Sequence, residues 1–134
     1  MKTKYILHGG SAQHTNEDND LFFKEILKST SDKVKILLVH FAGTEDRKNL
    51  NWQKDTAQFI RNKGNKEIEF ELAEEAKFLE QIKNSDVIYF GGGTTVNLIN
   101  ALTKFKNLKE ALGGKIVAGE SAGANSFCSY CFSK

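Results

Sequence analysis

The stretch "DVIYFGGGTTVNLINALTKF" (residues 86–105) decides the fold class, because a strand pattern changes into a helix pattern across three glycines. Residues 86–90 form a short apolar run of the kind found in strands that are buried on both faces of a sheet. Residues 95–105 instead carry apolar side chains at helical spacing. A buried strand that turns directly into a helix is the repeating unit of a parallel sheet covered by helices.

The rest of the chain repeats this alternation. We predict strands over residues 4–8, 33–43, 67–72, 86–90 and 115–119, and helices over 19–30, 49–64, 74–85, 95–105 and 107–114. The strict alternation of "EIEFEL" (67–72) places the third strand at an edge, whereas we expect the first strand to be central. The whole chain, 1–134, is therefore predicted to be a single α/β domain, a three-layer fold with a parallel sheet and helices on both faces.

The first two helices have apolar positions that predict how they pack. We expect Asp18 or Asn19 to cap the first helix. The predicted buried positions in the first helix are Leu21, Phe22 and Ile26, with Phe23 as a further candidate on the same face. In the second helix they are Leu50, Ala57 and Ile60, with Trp52 near them.

The composition argues against several classes of function. The 134 residues hold 19 basic and 17 acidic side chains without a basic stripe that includes aromatic residues, so no nucleic-acid partner is expected. No apolar run approaches the roughly 20 residues of a membrane span, and the N-terminus lacks the apolar core of a signal peptide. The glycine run matches neither the dinucleotide-binding pattern nor the P-loop. We therefore predict a cytoplasmic protein with no cofactor, no metal and no membrane partner.

A second glycine-rich turn follows the last predicted strand, in "KIVAGESAGAN" (115–125). Gly119 to Gly123 spell G-x-S-x-G, the pattern of a sharp strand-to-helix turn that exposes a serine nucleophile, here Ser121. The N–H of Ala122, at the start of the following helix, is placed to stabilise an oxyanion. The alternative interpretation is a glycine turn in which Ser121 only caps the helix.

Both glycine turns follow strands, so both are predicted at the carboxyl edge of the sheet, where open α/β folds bind ligands. One N–H of the triple glycine is a candidate second oxyanion donor, because glycine lets the backbone approach a ligand closely. We expect Gly91, Thr94 and Glu120 to line the pocket between the two turns. Taken alone, the triple glycine is also typical of a tight turn with a threonine capping the helix.

Two histidines are predicted at the same edge, His8 after the first strand and His40 after the second. A histidine at a strand end is more often a hydrogen-bonded structural residue, and this is our interpretation of both. His14 lies in a polar loop and is expected to be exposed. A metal site formed by His14 and the neighbouring carboxylates is disfavoured against a helix N-terminus that attracts acidic side chains, namely Glu17, Asp18 and Asp20.

Three stretches, "KILLVHFAG", "DVIYFGGGTTVNLI" and "GGKIVAGESAGAN", in this order and spacing, resemble dipeptidase E, the α-aspartyl dipeptidases, whose relatives include cyanophycinase. The resemblance spans essentially the whole chain and implies a class I glutamine amidotransferase-like α/β fold. It implies that Ser121 is the nucleophile and that the N–H groups of Ala122 and of Gly92 or Gly93 form the oxyanion hole. It also implies that the substrate is a small peptide, cleaved after an N-terminal acidic residue. One departure is Thr94, which stands where dipeptidase E usually has asparagine.

The resemblance further implies that the catalytic histidine and its acidic partner lie downstream of the serine, on strands beyond Lys134. We therefore expect a C-terminally truncated or short form that is close to inert by itself, because loss of a triad histidine typically costs about 10⁶ in kcat. His8 and His40 are the candidate substitute bases, with His8 slightly favoured by its expected central strand. An incomplete fold would expose apolar surface, so we expect self-association into a homo-oligomer.

Two other functions stay open. The first is a non-catalytic domain that binds a small anionic ligand in the glycine-lined pocket. The second is a cysteine-based amidotransferase of the same fold with Cys128 as nucleophile, which is disfavoured because Cys128 lies two helical turns beyond Ser121. The spacing of Cys128 and Cys131 as C-x-x-C has no second pair to complete a zinc site, so we interpret both as ordinary thiols.

Overall fold

The computed structural model describes residues 2–10, 12–120 and 123, so Ser121, Ala122, Cys128 and Cys131 lie outside the described residues. The strands are β1 (Lys4–His8), β2 (Lys33–Val39), β3 (Glu67–Leu72), β4 (Val87–Phe90) and β5 (Ile116–Glu120). They form one parallel sheet in the order β1-β5-β4-β2-β3. The helices are α1 (Glu17–Lys28), α2 (Lys48–Asn62), α3 (Phe78–Lys83), α4 (Thr95–Leu102) and α5 (Leu108–Ala111), with single 3₁₀ turns at Glu45–Arg47 and Glu75–Lys77.

Two hydrophobic cores, one on each face, hold the sheet between layers of helices. On one face α1 and α2 pack through a cluster of aromatic rings, in which Phe59 makes edge contacts with Phe23 and Tyr89. On the other face α3, α4 and α5 cover a core of mostly aliphatic residues. The central strand β4 is buried along its whole length, as its unbroken apolar run requires. The predicted fold class, a three-layer α/β arrangement around a parallel sheet, is confirmed.

The position of one strand differs from the prediction. Within the described residues β1 lies at the end of the sheet, and β4 occupies the centre. Among the described strands the prediction of a central β1 was wrong, because β5 pairs with one side of β1 and no described strand pairs with the other. No local pattern in the sequence indicates this order. The predicted edge position of β3 is confirmed for the described sheet, with its alternating exposed and half-buried residues.

The buried faces of α1 and α2 also differ from the prediction. The cap of α1 is Asn16, whose side chain accepts the Asn19 N–H at 2.8 Å. Phe22, Phe23 and Ile26 are buried as predicted, but Leu21 is 60% exposed and Leu27 is buried instead. In α2 the predicted positions Leu50, Ala57 and Ile60 are exposed, and the buried residues are Asp55, Gln58 and Phe59. The polar residues are buried because the neighbouring loops supply hydrogen-bond partners, as described below.

The connections place a crevice between β2 and β4. The chain leaves β2 toward α2 on one face of the sheet and leaves β4 toward α4 on the opposite face. The loops after these two neighbouring strands therefore diverge, which is the topological switch point where open α/β sheets bind ligands. No helix within the described residues is long and apolar enough to cross a membrane.

Candidate active site

A cavity of about 410 Å³ opens at the carboxyl edge of the sheet, over the switch point. Its walls come from the loops after β1, β2 and β4, from the 3₁₀ turn and first helical turn that lead into and begin α2, and from the last residue of β5. The lining residues are Gln13, His14, Ala42, Gly43, Thr44, Arg47, Asn51, Gly92, Gly93, Thr94 and Glu120. The predicted pocket residues Thr94 and Glu120 line this cavity together with the candidate oxyanion donors Gly92 and Gly93. Gly91 was also predicted to line it but does not, because it is buried against the His40 ring.

The triple-glycine loop is held against the loop after β2. The Gly91 N–H donates to the Val39 carbonyl (3.0 Å), and the Thr94 N–H donates to the Ala42 carbonyl (2.9 Å). Gly93 has a φ of 147°, and a Cβ there would fall directly on the backbone of Ala42. Glycine is therefore required at residue 93, both for its backbone conformation and for the close approach of the two loops. Thr94 is the N-cap residue of α4, but its side chain makes no capping hydrogen bond.

The end of β5 is equally crowded. Glu120 is only 7% exposed, and its Oε1 accepts the Ala12 N–H at 3.3 Å. Gly123, which is helical, lies so close to β4 that a Cβ would fall on the Phe90 carbonyl and 2.9 Å from the Phe90 Cβ. A G-x-S-x-G turn needs its last glycine for such an approach to the neighbouring strand. Ser121 and Ala122 lie between these two positions, outside the described residues.

The loop after β1 is tied down by buried amide groups. Gln58 Nε2 donates to the carbonyls of Ala12 (3.2 Å) and His14 (2.9 Å), and Asn19 Nδ2 donates to the same His14 carbonyl at 2.7 Å. Together with the bond from Ala12 to Glu120, these contacts hold one wall of the cavity in place. The His14 side chain itself is exposed, as predicted.

His8 has both ring nitrogens in hydrogen bonds. Its Nδ1 accepts the Gly10 N–H at 2.9 Å, so the ring proton resides on Nε2, which donates to Asn19 Oδ1 at 2.7 Å. The ring also packs against Phe22, with centroids 4.7 Å apart. These bonds are those of a structural histidine, and His8 is not part of the cavity wall.

His40 forms a buried pair with a helix residue. Its Nε2 lies 2.8 Å from Asp55 Oδ2, and both side chains are 1% exposed. Because a carboxylate oxygen only accepts, Nε2 is the donor in this pair. Asp55 Oδ1 accepts a second bond from Gln13 Nε2 at 3.2 Å, and the same amide nitrogen donates to Asn51 Oδ1 at 3.3 Å. His40 thus lies behind the cavity and is linked to its wall through Asp55 and Gln13.

Tyr89 completes this buried polar region. Its side chain is fully buried on the face of the sheet that α1 and α2 cover. Burial raises the pKa of the Tyr89 phenol well above its usual range, and the charges of Asp55 and Glu120 raise that pKa further. Tyr89 is therefore a neutral phenol at every physiological pH.

The buried polar residues of α2 were not predicted from the sequence. Asn51, Asp55 and Gln58 recur at spacings of four and three residues, which places them on one helical face. This polar stripe, next to the apolar pair of Trp52 and Phe59, is the feature of the sequence that indicates a buried polar face. It was overlooked because an amphipathic helix is normally read from its apolar positions alone.

The fold and this edge define a three-layer α/β protein whose cavity is lined by Glu120, the residue that precedes the serine of its G-x-S-x-G sequence. A family model, that of peptidase family S51, matches residues 5–134, so the chain belongs to peptidase family S51. The predicted relationship to dipeptidase E is confirmed. No curated protein matches the chain in sequence.

Solved structures with the same fold include two bacterial proteins. A peptidase from an acI-B1 Actinobacterium matches with a TM-score of 0.70 and 23% identity, covering 96% of this chain and 58% of that one. A peptidase E protein from Listeria monocytogenes EGD-e matches with a TM-score of 0.69 and 19% identity, covering 92% of this chain and 61% of that one. The chain thus spans about three-fifths of the length of these two structures.

Proposed function

We propose that the chain carries the nucleophile and the oxyanion-binding loops of a serine peptidase that cleaves small peptides after an N-terminal acidic residue. The observation that carries this proposal is the single cavity in which Gly92, Gly93 and Glu120 meet, because Glu120 directly precedes the serine of the G-x-S-x-G turn. Membership of peptidase family S51 supports the same reaction class.

The proposed reaction uses residues of both glycine turns. Ser121 Oγ attacks the carbonyl carbon of the scissile peptide bond and gives its proton to a general base. The resulting oxyanion accepts hydrogen bonds from the N–H groups of Ala122 and of Gly92 or Gly93. Collapse of this intermediate breaks the C–N bond, and the base returns the proton to the departing amine. Water then hydrolyses the acyl-enzyme by the same steps.

The general base is proposed to be a histidine downstream of the turn, as in the family that the sequence resembles. His8 is disfavoured because its Nδ1 already accepts a backbone N–H and its Nε2 already donates. His40 is disfavoured because its Nε2 is engaged with Asp55 behind the cavity. A base must approach the serine oxygen to about 3 Å during the reaction.

Arg47 is the proposed recognition residue for the acidic side chain of the substrate. It lies in the cavity wall, is exposed, and forms no salt bridge within the described part of the chain. The buried carboxylate of Glu120 in the same wall suits the α-ammonium group of an N-terminal residue. The cation Arg47 and the anion Glu120 are therefore complementary to an N-terminal acidic residue, which carries a side-chain carboxylate and an α-ammonium group.

A fluorophosphonate probe tests the nucleophile. We expect covalent labelling of Ser121 in the native protein expressed from its full reading frame, located by peptide mass spectrometry, and no labelling of the Ser121→Ala variant. Labelling that is absent from the native protein, or that is unchanged by Ser121→Ala, contradicts the proposal.

Paired substrates test the recognition residue. We expect an Asp-Leu dipeptide to be cleaved faster than Asn-Leu, and Arg47→Ala to raise KM for Asp-Leu about 10-fold or more, since a bond to a charged group contributes about 1.5–3 kcal/mol. Lys48→Ala is the matched control, because this neighbouring cation is paired with Glu45 at 2.8 Å outside the cavity wall. Equal losses in both variants contradict a specific role for Arg47.

A second candidate is a domain that binds a small anionic ligand without turnover. The observation that favours it is that His8 and His40, the two candidate substitute bases, are both engaged in structural hydrogen bonds. This function predicts binding of a dicarboxylate that depends on Arg47, is unchanged by Ser121→Ala, and is accompanied by no labelling of Ser121.

A further inference from the structure

The buried pair of His40 and Asp55 lies directly beneath the triple-glycine loop. A Cβ added to Gly91 would lie 2.7 Å from His40 Cδ2, 3.2 Å from His40 Nε2 and 3.5 Å from Asp55 Oδ2. The ring of His40 therefore occupies the space that a side chain at residue 91 would fill. Since Asp55 holds Nε2 at 2.8 Å, the ring is fixed rather than free to rotate away.

The backbone around His40 is bonded to the same loop. The Gly43 N–H donates to the His40 carbonyl (3.1 Å), which closes the turn after β2, and this turn offers the Ala42 carbonyl to the Thr94 N–H (2.9 Å). Gly93 packs on the Ala42 backbone with no room for a side chain. The glycine loop is thus held at residue 91 by the His40 ring and at residues 93 and 94 by the His40 turn.

Asp55 links this support to the opposite wall of the cavity. Its Oδ1 accepts the Gln13 amide, and Gln13 also donates to Asn51. Asn51 in turn lies against the turn after β2, with its Nδ2 3.3 Å from the Cβ position of Gly43. One buried carboxylate therefore connects the loops after β1, β2 and β4.

A buried ion pair or charge-assisted pair is costly to desolvate, and an apolar pair of the same size often stabilises a fold as well. A purely structural function does not explain why a polar pair, rather than an apolar one, is buried at this point of the sheet. We infer that His40 and Asp55 are positioning residues, which fix the direction of the N–H groups of the glycine loop toward the oxyanion. This inference rests on the proposed peptidase function for its catalytic consequence, but its structural part can be tested without turnover.

The structural part is tested by NMR on the native protein. We expect the ring proton of His40 on Nε2, shifted downfield by the bond to Asp55, whether or not Nδ1 also carries a proton. In Asp55→Asn we expect the backbone amide resonances of residues 91–94 to move more than in Asp20→Asn. Asp20→Asn is the matched control, because Asp20 also pairs its carboxylate with a nitrogen donor on another element. It contacts Arg61 Nε at 3.1 Å, from α1 to α2, at the protein surface. A neutral His40 ring with its proton on Nδ1, or unmoved glycine amides in Asp55→Asn, overturns the inference.

The catalytic part is tested by the kinetics of fluorophosphonate labelling at Ser121. We expect Asp55→Asn and His40→Leu to lower the maximal labelling rate about 10- to 100-fold, the range expected when reacting groups are displaced by an ångström or less. The probe concentration at half-maximal rate should change little, because the cavity walls that bind the probe remain. His40→Gln, whose amide can still donate to Asp55, should recover part of the rate.

Gly91→Ala provides a second route to the same effect, because its methyl group would push on the His40 ring without removing either partner. It should lower the maximal rate as Asp55→Asn does. If His40→Gln is as inactive as Ser121→Ala while Gly91→Ala is fully active, His40 transfers a proton and the positioning inference is wrong. If the native protein is not labelled at all, the proposed function fails, and the amide shifts still decide the inference.

Discussion

The replacement Gly93→Ala should separate two reasons for glycine at a loop, backbone conformation and space. Gly93 has a φ of 147°, a conformation that other residues adopt only with strain of about 1–3 kcal/mol. Its added methyl group would also overlap the backbone of Ala42, and overpacking typically costs about 1–3 kcal/mol. The sum predicts a loss of about 2–6 kcal/mol from a total stability of about 5–15 kcal/mol.

Two other glycines provide the matched series. Gly64 has a φ of 61° but nothing within 4 Å of its Cβ position, so Gly64→Ala should show the conformational cost alone, about 1–2 kcal/mol. Gly9 has open space and no positive φ, so Gly9→Ala should be neutral or stabilise the fold by about 0.4–1 kcal/mol.

The assay is equilibrium unfolding in urea, followed by far-ultraviolet circular dichroism, for the native protein and the three variants. We expect Gly9→Ala to be at least as stable as the native protein, Gly64→Ala to be less stable, and Gly93→Ala to be the least stable of the four proteins. A Gly93→Ala variant no less stable than Gly64→Ala would refute the reasoning, since the two loops would then not be in fixed contact.

The other predictions concern the core and the response to acid. Phe59→Ala should lower the free energy of unfolding by about 3–5 kcal/mol, because the ring is fully buried, whereas Leu21→Ala, at a 60% exposed position, should change it by less than about 0.5 kcal/mol; urea unfolding measures both. Hydrogen bonds from Gln81 and, to a smaller extent, from Lys35 lower the pKa of Glu71. The ionised carboxylate therefore contributes its full stabilisation at a pH above its unfolded pKa of about 4.3, and this contribution is lost as the pH falls through its folded pKa. Urea unfolding from pH 6 to pH 2 should therefore show a stability gap between native protein and Glu71→Gln that closes toward acid pH; a gap that widens toward acid pH contradicts the assignment.

The sequence was sufficient to predict elements whose signal is local. The continuous apolar run before Gly91 identified a strand that is buried on both faces, and the glycines that follow it identified a turn at the carboxyl edge. The pocket residues Gly92, Thr94 and Glu120 could be predicted for the same reason, because the carboxyl ends of parallel strands share one edge.

Features that depend on contacts between distant elements could not be predicted in this way. Asp55 is buried because His40 and Gln13, which are far away in sequence, supply its hydrogen bonds, and a lone helical aspartate normally faces solvent. Leu50 and Ile60 are exposed for the complementary reason, since the face of α2 that meets the sheet was already fixed by Phe59 and Trp52. Tertiary contacts outweighed the apolar count in both cases.

The insertion of β5 between β1 and β4 determines the order in which the parts of the sheet can fold during synthesis. The strand β1 pairs with β5 in a register that joins residue 4 to residue 116. At a translation rate of about 5–20 residues per second, β5 is therefore synthesised roughly 6–22 s after β1. The strands β2, β3 and β4 can associate during this delay, because they pair with one another. The wall formed by residues 12–14, which Glu120 anchors, is then among the last parts of the molecule to form. Newly made chains should consequently have a folded central sheet before they have a binding cavity.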